Sequence, residues 1–158
     1  MNRVSLLREQ LKQTEKFVFM TVGDVTPEQA HWTPPGIANP LGATLAHLVL
    51  GEDAFVQGMF KGTTPLAAGS WAGKVGLSEP PPPPFPPTSW HEWGRKVQVD
   101  IEALQEFGKA VFAATDEYVA GLNDEDLDRI ELEARRIAEN MKGVLQCHVA
   151  REGQEFEL

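Results

Sequence analysis

Apolar residues recur at three- and four-residue spacing through four stretches of the chain, and this spacing predicts helices. From roughly Arg3 to Val22 the stripe is Val4, Leu7, Leu11, Thr14 and Val18, and Gly23-Asp24 stops it. Thr26-Pro27-Glu28 then predicts a short helical turn, with a threonine cap, a proline suited to the first position and an acid at the positive end. Trp32 follows, and Thr33-Pro34-Pro35-Gly36 reads as loop. Asn39-Pro40 predicts the start of a second long helix, whose stripe is Leu41, Leu45, Leu48, Phe55, Val56 and Met59, ending near Lys61-Gly62.

Between Thr63 and Pro87 no period survives. That stretch holds three glycines, two apolar anchors (Trp71 and Leu77) and the run from Pro80 to Pro87, broken only by Phe85. Such a run favours polyproline II, so it predicts a stiff surface strap. Its readings are a long crossover between helices, a lid over one bundle end, or a ligand for an SH3-like or WW-like domain. Ser89-Trp90-His91-Glu92 fits a capping box and predicts a third helix running through Ile101, Leu104, Phe107, Val111 and Phe112 to Tyr118 and Gly121. Asn123 to Leu127 reads as a capping turn, and a final helix is expected from about Ala134, with Ile137, Met141, Val144, Leu145 and His148 inward. No segment has a strand period, so the class is all-α: a four-helix bundle with a long Pro-rich crossover between helices 2 and 3, one domain over residues 1–158.

Charge narrows the partners. With 14 basic and 23 acidic residues, the net charge is −9, which argues against nucleic acid and anionic membrane, since phosphate binding needs a basic surface. The single cysteine, Cys147, excludes an internal disulfide framework. The N-terminal stretch is polar and amphipathic, and no apolar run approaches bilayer length, so the expected location is the cytoplasm.

Two of the four histidines, His47 and His148, fall on apolar-faced helices. A helical histidine there is either a satisfied, half-buried residue or a metal ligand. Ala43, Gly51 and Ala54 flank His47 on its own side, leaving room for another helix or a ligand to approach the ring. Glu152 lies four residues past His148, the spacing at which two side chains share a helix face. Two histidines and one glutamate form a zinc donor set with an open fourth position. Glu52 and Asp53, just past His47, are candidates to orient its imidazole, or else a solvated acidic edge. His31 reads as structural and His91 as solvated. Cys147 points about 100° away from His148 on a helix, so it reads as a small apolar residue rather than a co-ligand.

The block His31-Trp32-Thr33-Pro34-Pro35-Gly36-Ile37-Ala38-Asn39-Pro40 and the following stretch to Phe55 resemble the DinB/YfiT-like superfamily, as does His148-Val-Ala-Arg-Glu152-Gly153-Gln154. The resemblance implies an up-down-down-up four-helix bundle carrying a divalent transition metal on one histidine of the second helix and a His-x-x-x-His pair of the last. His47 and His148 match two of those positions. The third departs: either Glu152 replaces the second histidine of the pair, or that histidine is deleted and Glu152 aligns elsewhere. The implied function is that of a divalent-metal-dependent enzyme acting on a small molecule, possible chemistries being transfer to, or isomerisation with, a low-molecular-weight thiol. Zinc or nickel suits imidazole donors better than magnesium does. The alternative is a degenerate, metal-free bundle that binds a small ligand or a protein. Homodimerisation is also expected, from Phe17 and Phe19 on the first helix and Val97 and Val99 on the third, unless the proline strap covers them.

Overall fold

The computed structural model describes residues 2–83 and 87–140. All regular structure among them is helical, apart from an isolated antiparallel bridge between Leu77 and Val99. Helix α1 spans Arg3–Val22, with Asn2 as its cap accepting from the Ser5 amide. Helix α2, Pro27–His31, carries the full reciprocal capping box: the Gln29 amide donates to the Thr26 hydroxyl, and the Thr26 amide donates to the Gln29 side chain. Helix α3, Leu41–Asp53, continues into a seven-residue π-helical segment, Ala54–Phe60. Its first turn has no side-chain cap, so the predicted role of Asn39 is not met; the Asn39 amide packs beside Gly94 instead. Proline suffices at this start because its fixed φ already suits the helix entry and it brings no N–H to satisfy.

The expected third helix is two helices. Helix α4 spans Pro87–Gly94 and helix α5 spans Ile101–Ala120. Ser89 therefore lies inside α4 rather than at its cap. The chain leaves helix after Gly94 because residues near Val99 are taken up in pairing with the crossover. The Ser78 amide donates to the Gln98 carbonyl, the Asp100 amide to the Gly76 carbonyl, and Leu77 bridges Val99. Asp100 then caps α5, its carboxylate accepting from the Ala103 amide. Helix α6, Asp124–Asn140, begins ten residues before the expected start. Asn123 accepts from the amides of Glu125 and Asp126 while Asp126 accepts from the Asn123 amide, so the predicted capping turn is itself the helix start.

Directions follow from the pairings. Arg8 holds Asp116 through two bonds of 2.7 and 2.8 Å, Phe19 meets Phe112 edge to face, and Gln105 donates to the Val22 carbonyl, so α1 and α5 are antiparallel. Gly42 lies against Val99, Val49 against Gly108, and Glu52 bonds Thr115, so α3 and α5 are parallel. The core between them holds Val49, Leu104, Phe107 and Val111, each essentially unexposed. At Gly42 a side chain would crowd Ala30 and Val99, which explains how α2, α3 and the approach to α5 close so tightly.

Two expectations about surfaces change. Phe19, Val97 and Val99 are covered within the chain, the valines by α3 and the crossover, so only Phe17 remains of the predicted dimer face. On α3 the buried residues are Gly42, Ala43, Leu45, Ala46, Val49, Leu50 and Asp53, whereas Leu41, Leu48, Phe55 and Met59 of the predicted stripe are exposed. This helix is apolar nearly all round, and the side with the smallest residues is the one that can approach α2 and α5 closely.

The junction at Gly76 gives a stability prediction. Gly73 and Gly76 both have positive φ, but a Cβ at Gly73 meets nothing within 4 Å, whereas at Gly76 it would lie 2.7 Å from the Asp100 carbonyl oxygen. Gly73→Ala should cost about 1–2 kcal/mol from backbone strain alone. Gly76→Ala should cost about 1–3 kcal/mol more, because rigid backbone must shift. Urea unfolding midpoints of the two variants measure the difference.

Candidate functional site

Helix α3 carries His47 on its exposed side, with the buried Ala43 one turn before it and the buried Ala46 and Val49 turned towards the core. One face of the imidazole environment is aromatic: the Trp90 ring meets His47 edge to face with centroids 4.6 Å apart, and Trp90 packs in turn on Trp93 at 5.3 Å. Trp93 is buried, and its indole N–H has no hydrogen-bond partner among the described residues. Trp90 is fixed from the other side by donating its indole N–H to the Pro83 carbonyl at 3.1 Å. The proline strap thus acts through a backbone acceptor, setting the indole that walls His47.

The three described histidines differ in how their nitrogens are used. His31 spends both: Nδ1 lies 2.7 Å from the Pro27 carbonyl oxygen and Nε2 accepts from the Val99 amide at 2.8 Å. Because Nε2 accepts, Nδ1 carries the proton and donates, and the ring staples α2 to the segment before α5. His91 accepts from Arg95, whose guanidinium also donates to the Gly36 and Ala38 carbonyls. His47 makes no hydrogen bond among the described residues, so its nitrogens are free for a ligand.

Neither Glu52 nor Asp53 serves His47. Asp53 is 1 % exposed, and its two carboxylate oxygens accept from the amides of Leu66 at 2.8 Å and Ala67 at 2.9 Å. This carboxylate caps the 3-10 turn Leu66–Ala68 and fastens the start of the crossover to the end of α3. Hydrogen bonds to a charged group contribute about 1.5–3 kcal/mol each, which offsets the cost of burying the acid. Glu52 is half-buried and accepts from the Thr115 hydroxyl at 2.6 Å. Burial raises its pKa above the ordinary carboxylate range, and the Thr115 bond opposes that only in part. Glu15 is also raised, first by burial and then by the charge of Glu52.

Of the predicted ligands, His47 is placed as described, while His148 and Glu152, like Cys147, lie outside the described residues. Among the described residues no group of three or more His, Cys, Asp or Glu side chains is arranged to hold a metal ion. Sequence reasoning missed the Asp53 clamp and the Trp90 wall. The only signals were a charged residue within an apolar helix face and a tryptophan just after the proline run. No helix among the described residues is long and apolar enough to cross a membrane.

A family model described as the DinB superfamily matches residues 10–150. No curated protein and no solved structure matches the chain.

The raised pKa of Glu52 sets a pH dependence. In the window from the ordinary glutamate value up to the raised one, the folded state binds more protons than the unfolded state, so stability falls as pH rises through it. Glu52→Gln keeps an acceptor for Thr115 and does not titrate there. Its stability relative to the native chain should therefore be lowest at about pH 4, below that window, and grow as pH rises towards about 7. Urea unfolding of both chains across this range checks it, and a difference that ignores pH would show that the carboxyl is solvated.

Proposed function

We propose, from the premise that this chain belongs to the DinB superfamily, that it is a divalent-metal-dependent enzyme acting on a small molecule. The fold in this reading is the up-down-down-up four-helix bundle, with the antiparallel α1–α5 and parallel α3–α5 pairs as three of its members. The metal ligands are His47, His148 and Glu152, with zinc or nickel favoured over magnesium because imidazole donors suit borderline ions. The observation that carries the reading is His47 itself. It is the described histidine without a hydrogen bond, on an exposed helix face, oriented by an aromatic wall. An imidazole with both nitrogens unspent is chemically suited to such an ion.

When bound, the ion would lower the pKa of a coordinated low-molecular-weight thiol and hold it as thiolate, for transfer or isomerisation chemistry. This chain's own part is to limit the approach to His47 with Trp90 and to offer a partly apolar face (Leu48, Phe55) beside it. The enzyme works in the cytoplasm in this reading, where such thiols are abundant.

Titration calorimetry with zinc tests the ligand set. The native chain should bind zinc, His47→Ala should lose binding, and Glu152→His should tighten it if Glu152 occupies the third ligand position. Unchanged affinity in Glu152→His would place Glu152 off the site. No zinc binding by the native chain would leave the metal-free ligand- or protein-binding bundle as the reading.

A homodimer is part of the same proposal, on narrower grounds than the sequence offered. Phe17 and Met20 lie one helical turn apart on α1 and are 64 % and 66 % exposed. Two-fold pairing would cover them. Light scattering should then give twice the 17.4 kDa chain mass, and Phe17→Asp should return it to a single chain.

A further inference from the structure

A cavity lies on the other side of α3 from His47. Glu52 is five residues along, which at about 100° and 1.5 Å per residue turns it away from the histidine and towards α1 and α5. There the end of α3, the π-helical segment, α1, α5 and the start of α6 line a half-open space of about 740 Å³. A volume of a few hundred to about a thousand Å³ is that of a small-molecule site. Its walls are apolar, including Leu7 and Leu11 from α1, Val56 and Phe60 from the π-helical segment, and Tyr118 and Val119 from α5. Phe60 and Tyr118 stack at 6.3 Å with planes 16° apart, giving a flat aromatic wall.

The polar groups in this cavity are few and unequal. Arg3 stands at one end with Asp128, its Nη1 donating at 2.6 Å, and Asp124 and Glu131 add negative potential there. Asp128 and these neighbours offset its charge, while its Nε and Nη2 are buried with no hydrogen-bond partner among the described residues. An acceptor on a ligand could therefore pair only at this end, away from Glu52. Glu52 stands at the Thr115 end with one hydroxyl donor and no cationic partner among the described residues. On α1 the group whose titration Glu52 influences is Glu15, another acid, which Lys12 partly offsets. An apolar cavity with an unpaired carboxylate and an aromatic wall, in a chain of net charge −9, is complementary to a cation with a greasy body.

We infer that this cavity binds a hydrophobic monoamine, its ammonium paired with Glu52 and its apolar body against Phe60, Tyr118 and the α1 leucines. An anionic amphiphile is disfavoured by Glu52, Glu15 and the acids around Arg3. A neutral one gains the walls but leaves the carboxylate unpaired. The inference does not rest on a metal at His47, because neither His47 nor Trp90 is among the described residues that line this cavity.

The test uses three probes with one body: phenylbutylamine, phenylbutanol and phenylbutanoate, titrated into the full chain by calorimetry. Phenylbutylamine should bind about tenfold more tightly than phenylbutanol, the ratio expected when a charge-assisted bond replaces a neutral one. Phenylbutanoate should bind most weakly. Glu52→Gln should abolish the preference for the amine while phenylbutanol binding persists, and Glu117→Gln, an equal change of charge on the exposed side of α5, should leave it intact. Methyl resonances of Leu11, Val56 and Val119 should shift with the amine, while those of Val97 and Val99 stay still. Equal binding of the three probes, no saturable binding, or an amine preference that survives Glu52→Gln would each overturn the assignment.

Discussion

The parallel arrangement of α3 and α5 is the constraint from which most of the molecule follows. Two helices packed side by side in the same direction cannot be joined by a tight turn; the chain must travel back the full length of the pair before the second can begin. Here that return occupies the residues between Phe60 and Ile101, and its described parts are fastened to α3, α5 and the segment before α5. Asp53 grips its beginning through the Leu66 and Ala67 amides, Trp71 anchors its middle on Phe107, and Gly76 to Ser78 pair with the segment before α5. Within the strap the Pro83 carbonyl accepts from the Trp90 indole and orients it. Asp53 is buried with both oxygens bonded and Trp71 packs against the core, so these fastenings make the crossover part of the fold's stability and not a slack connection.

Much of this was legible from residues, and the limits have physical reasons. The first helix, the capped turn at Thr26 and the capping role of Asn123 follow from local rules that tertiary context did not override. The division of the expected third helix was hidden because Val97, Val99 and Ile101 continue an apolar pattern across the break. Those valines are buried by non-local pairing with Leu77 and by α3, which no window of sequence contains. On α3, periodicity selected the larger residues, but close packing on two neighbouring elements favoured Gly42, Ala43 and Ala46.

For the candidate site, the histidine pattern singled out His47, and the structure separates it from His31 and His91 by what each ring already bonds. The assignments of Glu52 and Asp53 failed because adjacent positions on a helix face different ways. Asp53 turns into the core and towards the crossover, and Glu52 turns towards α5. A pair of acids beside a histidine says nothing of this until the neighbours of the helix are known.

The contact between Trp90 and His47 also makes the chain its own optical probe. An indole in van der Waals contact with an imidazole emits differently according to whether that ring is neutral, protonated or bound to an ion. Trp90 is set there by the strap and packed edge-on against His47 at 4.6 Å, so its fluorescence reports the chemical state of that one side chain. A change in the state of the His47 ring is therefore readable in solution without a label, as the part of the emission that Trp90→Phe removes from that shared with Trp32, Trp71 and Trp93.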